Sequence, residues 1–213
     1  MNKVKIKSLT EIAEGSYLLC FNRDFEFIPG QVIGINIGDK QPARLYSIAS
    51  GKDDDEIRIL FTIKDDGYLT PKLAFSRPGE LIEISPPFGN FICNERDAFW
   101  IASGTGIAPF SSMIFSGFAK ENTLIHGSRL LSHFYFQREI IPLMSGQYIR
   151  CCSSETAEGV YSGRLTQYLK AIEYLPADKK YYLCGSAEMV VDTRDILISK
   201  GIPYENIIAE IYF

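Results

Sequence analysis

Cysteine is scarce in this 213-residue chain: Cys20, Cys93, Cys151, Cys152 and Cys184 are all it has. Their number is odd, their spacing irregular, and two are adjacent. Such a set makes neither a disulfide framework nor the ligand spacing of a zinc or iron–sulfur site. Free thiols in a reducing compartment are expected, with no metal centre. Histidine is scarcer still; His126 and His133 stand in no triad or metal arrangement and read as structural. Basic residues do not dominate, 22 against 26 acidic for a net charge of -4, which argues against general nucleic-acid binding and against a strongly basic docking face. Ser103 and Ser186 lack the G-x-S-x-G setting of a hydrolase nucleophile. There is no apolar run long enough to span a bilayer, and Met1 to Lys7 alternates charged and apolar side chains without a signal peptide's apolar core. A cytoplasmic protein without membrane contact is the expectation.

What is present is apolar material for a real core: 46% of residues are hydrophobic, enough for one large or two small domains. Residues 1–95 read as β-rich. Short alternating runs recur around Val4 to Leu9, Ser16 to Asn22, Gln31 to Ile37, Arg44 to Ser50, Glu56 to Ile63 and Glu80 to Ser85, parted by turn formers such as Pro29-Gly30 and Pro78-Gly79. Six short strands at this spacing predict a small antiparallel barrel. A short helix at Thr70 to Phe75 interrupts it, with Thr70 as its cap and Pro71 at its first position.

The rhythm changes near Asn94. Apolar strands expected at Ala98 to Ser103, Thr123 to His126, Tyr148 to Cys152, Tyr181 to Cys184 and Ile207 to Ile211 alternate with helical stretches at 107–119, 132–140, 164–172 and 187–199. Strand–helix alternation predicts a parallel sheet with helices on both faces over residues 96–213. The fold expected is therefore a two-domain one, an antiparallel six-stranded β-barrel followed by an α/β nucleotide-binding domain.

Four motifs carry chemistry. Arg44-Leu45-Tyr46-Ser47 sets a cation, a phenol and a hydroxyl within four residues. A flavin nucleotide asks for those groups: an Arg fork for its pyrophosphate, a flat phenol for its ring and linker, and a hydroxyl near its N5 atom. Strict alternation would put Ser47 on the opposite face from Arg44 and Tyr46, so this reading requires the strand to bend or end there. Asp66-Gly67-Tyr68-Leu69-Thr70 leads into the short helix, whose unpaired amides form a natural phosphate seat. Gly104-Thr105-Gly106 follows an apolar strand and opens a helix, as in the turns that hold dinucleotide pyrophosphates, although Pro109 stands at the third glycine position. Cys184-Gly185-Ser186 also sits between a strand and a helix, where ligands of open α/β sheets gather.

In that order, with Glu210-Ile211-Tyr212-Phe213 following, these motifs resemble the plant-type ferredoxin/flavodoxin–NADP(+) reductases, the short bacterial type in particular. The resemblance covers nearly the whole chain. It implies an FAD-binding barrel over 1–95 and an NADP-binding domain over 96–213, with the reaction at their interface. Arg44 would hold the FAD pyrophosphate, assisted by Gly67, Tyr68, Leu69 and Thr70. Tyr46 would pack on the flavin, Ile63 and Lys64 would line its linker, and Ser47 would sit beside N5. Thr105 would approach both nucleotides between Gly104 and Gly106, and Cys184, followed by Gly185, would press on the nicotinamide. Glu210 would join Ser47 and Cys184 in positioning and proton handling. Tyr212 would stack on the flavin and Phe213 would cover the adenine, a Phe where the family often carries Trp.

For the 2′-phosphate the resemblance points to Arg129, Ser153, Ser154 and Arg164; Ser154 stands where the family normally has Arg. Losing one guanidinium removes a charge-assisted contact of about 1–3 kcal/mol, so NADPH is expected with NADH as its competitor. The implied activity is hydride transfer between NAD(P)H and FAD and single-electron delivery to ferredoxin or flavodoxin, by a monomer. The alternatives are an NAD(P)H-dependent flavin or ferric-siderophore reductase of the same fold and, outside enzymes, a flavin-binding interaction module.

Overall fold

The computed structural model describes residues 1–38, 41–144 and 147–212. Strands β1 (Asn2–Ala13), β2 (Ser16–Asn22), β3 (Val32–Asn36), β4 (Arg44–Ser47), β5 (Glu56–Thr62) and β6 (Leu81–Ile84) form one antiparallel sheet in the order β4-β3-β6-β1-β2-β5. β1 and β2 are joined by a hairpin in which Gly15 takes φ +66°, a conformation that favours glycine. The edge strands meet once: Ile48, just beyond β4, bridges to Ile59, and the Ala49 N–H donates to the Arg58 carbonyl at 2.8 Å. The predicted barrel is thus a curled sheet touching at its edges, not a fully laddered cylinder. Its filling is aliphatic, with Ile6, Leu19, Ile33, Ile57 and Ile59 all buried.

The predicted helix at Thr70 forms as α1 (Thr70–Ala74), but Thr70 does not cap it. Leu69 occupies the cap position, and the Thr70 hydroxyl instead accepts the Lys64 N–H at 3.0 Å, closing the turn ahead of the helix.

Strands β7 (Phe99–Ser103), β8 (Thr123–Ser128), β9 (Tyr148–Cys152), β10 (Tyr161–Ser162), β11 (Tyr181–Ser186) and β12 (Ile207–Tyr212) form a second, wholly parallel sheet in the order β10-β9-β8-β7-β11-β12. Alternation decides which core each residue fills. Trp100, Ala102, Tyr182 and Cys184 belong to one apolar cluster, while Ile101, Tyr181 and Leu183 belong to another on the opposite face. Helices cover both faces, as a parallel sheet requires: α2 (Ala108–Met113), α3 (Gln137–Leu143), α4 (Leu165–Ala171) and α5 (Ala187–Ser199).

Two helical expectations shift. The continuous helix expected over 107–119 divides into a 3₁₀ turn at Gly104–Ile107, α2, and a wide π turn at Ile114–Phe118, where Gly117 reaches φ +90°. The one expected over 132–140 becomes a 3₁₀ turn at Leu131–His133 and then α3, separated by Phe136 at φ +58°. Strand β10 was not anticipated; two exposed residues carry no periodic signal.

β5 faces two ways. Ile57, Ile59 and Phe61 point into the barrel core, whereas Leu60 joins the cluster built on Trp100 and Phe110 of the second sheet. Arg58 shares that outer face. Its guanidinium carbon lies 4.6 Å from the Phe115 ring centroid and its Nη1 donates to Glu139 at 2.9 Å. Nearby, Ser16 and Tyr135 are joined hydroxyl to hydroxyl at 2.8 Å in a buried contact. The outer face of β5 and the end of β2 therefore form a continuous seam with the second sheet's helical layer.

Candidate active site

The strand order reverses between β7 and β11: β8, β9 and β10 extend to one side, and the chain then returns to place β11 and β12 on the other. Open α/β sheets take ligands in the crevice at the carboxyl ends of such a pair. Here those ends carry Gly104–Gly106 and Cys184–Ser186, and glycine is what lets them touch. A Cβ on Gly106 would lie 2.2 Å from the Cys184 carbonyl oxygen. Gly185 has φ +153°, and its Cβ would meet the Ser103 hydroxyl oxygen at 2.2 Å.

β12 runs beside β11 in a register that pairs Cys184 with Glu210 and Ser186 with Tyr212. β4 ends at Ser47, and that buried hydroxyl reaches across from the first sheet. It donates to Glu210 Oε1 at 2.8 Å and accepts from the Tyr212 hydroxyl at 2.7 Å. Ser47 is the last residue of β4 and still pairs with Val32 of β3. Burial pushes the Glu210 carboxyl up, while the Ser47 hydroxyl draws it partly back. Burial also raises the Cys184 thiol well above its ordinary range, reinforced by the Glu210 charge, and raises the Tyr212 phenol. Cys184 is a protonated, fully buried thiol, not a thiolate nucleophile. A hydroxyl, a carboxyl, a thiol and a phenol from both sheets converge at one point.

Beside this point lies a cleft of about 320 Å³ whose lining includes Ser103, Gly104, Arg129, Ser153 and Arg164. Of the residues expected at a nicotinamide nucleotide, the cleft wall brings together Gly104, Arg129, Ser153 and Arg164, while Thr105, Gly106, Ser154, Cys184 and Gly185 do not line it. Ser154 is exposed next to it, its N–H donating to the Arg129 carbonyl at 3.1 Å. Sequence reasoning missed two acids on its wall, Glu188 and Asp192. Their four-residue spacing at the start of α5 puts them on one helix face, and that was the available signal. Glu188 approaches Arg164 at 3.6 Å with both side chains largely exposed, a pair of small energetic value.

On the barrel side, Arg44 is exposed and has no hydrogen-bond or ion-pair partner among the described residues. Tyr46 is half-buried, edge-on to Phe61 with centroids 6.3 Å apart, and burial pushes its phenol up to about 12. In the Gly67–Thr70 turn, Gly67 N–H donates to the Lys64 carbonyl at 2.7 Å, and the Tyr68 hydroxyl is buried without a partner among the described residues. Ile63 is tied by its N–H to Gly15, Lys64 is exposed, and Thr105 is half-buried in the glycine turn. An unpaired guanidinium and a partnerless buried hydroxyl fit the phosphate and polar linker of a flavin nucleotide. Phe213 lies outside the described residues.

A sequence-family profile described as "Oxidoreductase NAD-binding domain" matches residues 100–195, which include the glycine turn and the cleft. The flavodoxin/ferredoxin–NADP reductase of Escherichia coli (strain K12) is 29% identical over 192 residues, covering 79% of this chain and 77% of the relative. The ferredoxin NADP+ reductase of Neisseria gonorrhoeae, solved with bound FAD and NADP, superposes with TM-score 0.88 at 20% identity, over 100% of this chain and 98% of that one. The chain resembles the ferredoxin/flavodoxin–NADP reductases in both sequence and fold. The same fold recurs in the FAD/NAD-binding domain of a nitric oxide dioxygenase from Vibrio cholerae, with TM-score 0.87, 20% identity, and 99% and 98% of the two chains covered.

Proposed function

We propose that this protein is an FAD-dependent oxidoreductase that transfers hydride between NAD(P)H and FAD and passes single electrons to a ferredoxin- or flavodoxin-type carrier, with NADPH favoured over NADH. The observation that carries the reading is the Ser47–Glu210–Tyr212 junction beside Cys184, where the two sheets meet. In this reading residues 1–95 hold FAD and 96–213 the nicotinamide nucleotide. Bound FAD would supply the conversion between a two-electron and a one-electron currency.

The chain's own residues would bind, orient and exclude water. Arg44 and the Gly67–Thr70 turn would hold the flavin's phosphates, and Tyr46 its ring. The glycine turn would seat the nicotinamide nucleotide's pyrophosphate at the end of β7, while Arg129, Ser153 and Arg164 would face its ribose phosphate. Cys184, neutral and buried, would give the nicotinamide a close apolar wall. Ser47 holds its proton towards Glu210, so the pair would be placed to move a proton at Ser47 Oγ. Close alignment across the junction is the source of rate in such a site.

Among the described residues no helix is long and apolar enough to cross a membrane. All five cysteines are free and buried, which supports a reducing, cytoplasmic setting.

The test is anaerobic titration of purified, FAD-loaded protein with NADPH and with NADH, followed by cytochrome c reduction with ferredoxin or flavodoxin added. Flavin bleaching with carrier-dependent cytochrome c reduction is expected. Bleaching that free flavin or a ferric siderophore relieves, with no carrier dependence, would move the assignment to those reductases. A yellow protein that neither nucleotide bleaches would favour a non-catalytic flavin-binding module.

A further inference from the structure

One polar side chain behind the glycine turn has no part in the function as proposed. His126 lies at the centre of β8, opposite Ala102 of β7, with none of its surface exposed. Its Nε2 is 3.3 Å from the Gly104 carbonyl oxygen and its Nδ1 is 2.9 Å from the Tyr148 hydroxyl. The ring is held on both sides, stacked on Tyr148 and met edge-on by Phe134 with centroids 5.2 Å apart. Burial pushes the imidazole down to about 4, so it is neutral at physiological pH and carries one proton.

Geometry decides where that proton sits. A carbonyl oxygen only accepts, so Nε2 must carry the hydrogen that it donates to Gly104. Nδ1 is then the acceptor, and the Tyr148 phenol, itself raised by burial, donates to it. The carbonyl so tethered belongs to the peptide joining Gly104 to Thr105, and Gly104 is at φ +52°. In a planar trans peptide the carbonyl and the N–H point in opposite directions. Fixing the Gly104 carbonyl on His126 therefore turns the Thr105 N–H away from the histidine. That N–H opens a 3₁₀ turn and has no partner within it.

We propose that His126, as its Nε2–H tautomer, is a positioning residue that fixes the Gly104–Thr105 peptide so that the Thr105 N–H is presented to the phosphate of the nicotinamide nucleotide. This inference rests on the cleft beside Gly104 being the nucleotide site. Tyr148 is the outer member of the relay: it fixes the tautomer, the tautomer fixes the peptide, and the peptide aims the amide.

The two carboxamide replacements separate this role from simple packing. Gln extends its amide nitrogen to about where Nε2 lies, whereas Asn reaches only the Nδ1 position. On FAD-loaded protein, calorimetric titration with NADP+ is expected to give a dissociation constant for H126Q within about threefold of wild type. H126N should weaken it by about 10- to 100-fold, the loss of one charge-assisted hydrogen bond, with FAD content unchanged in both. Independently of any ligand, a long-range ¹H–¹⁵N spectrum of the wild-type protein should show His126 protonated at Nε2 alone; the chain has only two histidines, so assignment is direct. A proton on Nδ1, or H126N binding NADP+ as tightly as wild type, overturns the inference. If H126N does not fold, the tautomer measurement alone decides. Wild-type protein that binds no NADP+ overturns instead the nucleotide-site reading beneath it.

Discussion

Replacing Ser47 by Ala tests the junction between the two sheets. The hydroxyl donates to Glu210 at 2.8 Å and accepts from Tyr212 at 2.7 Å, so the change removes two hydrogen bonds and leaves a half-buried carboxyl without its donor. A hydrogen bond to a charged group contributes about 1.5–3 kcal/mol, and solvent screening at a partly exposed carboxyl reduces this. The expected loss is about 1–3 kcal/mol. For a chain of this length each kcal/mol lowers the melting temperature by roughly 2–4 °C. The loss should also depend on pH with a definite sign. Burial holds the folded-state value of Glu210 above its ordinary 4.5, and the Ser47 hydroxyl is what limits the rise. A carboxyl raised on folding contributes its stability in full below the unfolded value and loses it as pH climbs through the folded one. Without Ser47 that folded value moves higher still. The gap between wild type and Ser47→Ala should therefore be smallest below about pH 4, where only the loss of the Tyr212 hydrogen bond remains in full, and widen towards neutrality. The assay is thermal unfolding from acid to neutral pH of wild type, Ser47→Ala, Glu210→Gln and the double variant. A coupling energy of about 1–2 kcal/mol is expected, with the pH dependence of the gap abolished in the Gln background. A pH-independent gap, or a coupling below about 0.5 kcal/mol, would refute the reasoning. In the same variant flavin reduction by NADPH, followed by stopped flow, should slow by about 10- to 100-fold, while FAD content stays near wild type.

Gly106→Ala must push the glycine turn off β11, because its Cβ would sit 2.2 Å from a backbone oxygen that cannot swing away. A cost of about 1–3 kcal/mol in thermal unfolding, with weakened NADPH binding by titration, is expected. Arg58→Met keeps the apolar stem but loses the hydrogen bond to Glu139 and the guanidinium over Phe115. Denaturant unfolding should show a loss of about 1–2 kcal/mol, with FAD content little changed. Arg129→Leu should raise the KM for NADPH by about tenfold or more and leave that for NADH nearly unaltered in steady-state assays; equal effects on both would remove Arg129 from the ribose-phosphate site.

Much of the fold was legible because its signals are local. The alternating runs that became β1 to β6, the apolar strands of the second sheet and the helix at 187–199 are readable within windows of a dozen residues. The glycine turn was legible for the same reason. The wide turn at Ile114–Phe118 was not, since Gly117 in a helical context reads only as a weak helix former. Long-range pairing is equally silent in sequence. Ser47 and Glu210 are 163 positions apart, and only the β11–β12 register shows that Glu210 faces Cys184. His126 read as structural because neither of its partners is near in the chain. Its contact with a backbone carbonyl leaves no mark on composition or period.

The double allegiance of β5 limits how this molecule can be taken apart or recombined. One strand supplies Ile57, Ile59 and Phe61 inward and Arg58, Leu60 and the Thr62 neighbourhood outward. Inserting or deleting a single residue there would swap the two sets and spoil both interiors together. Excising the second sheet with its helices for a chimaera would leave the aromatic wall around Trp100 and Phe110 bare, so any graft must bring a substitute for that outer surface or precipitate.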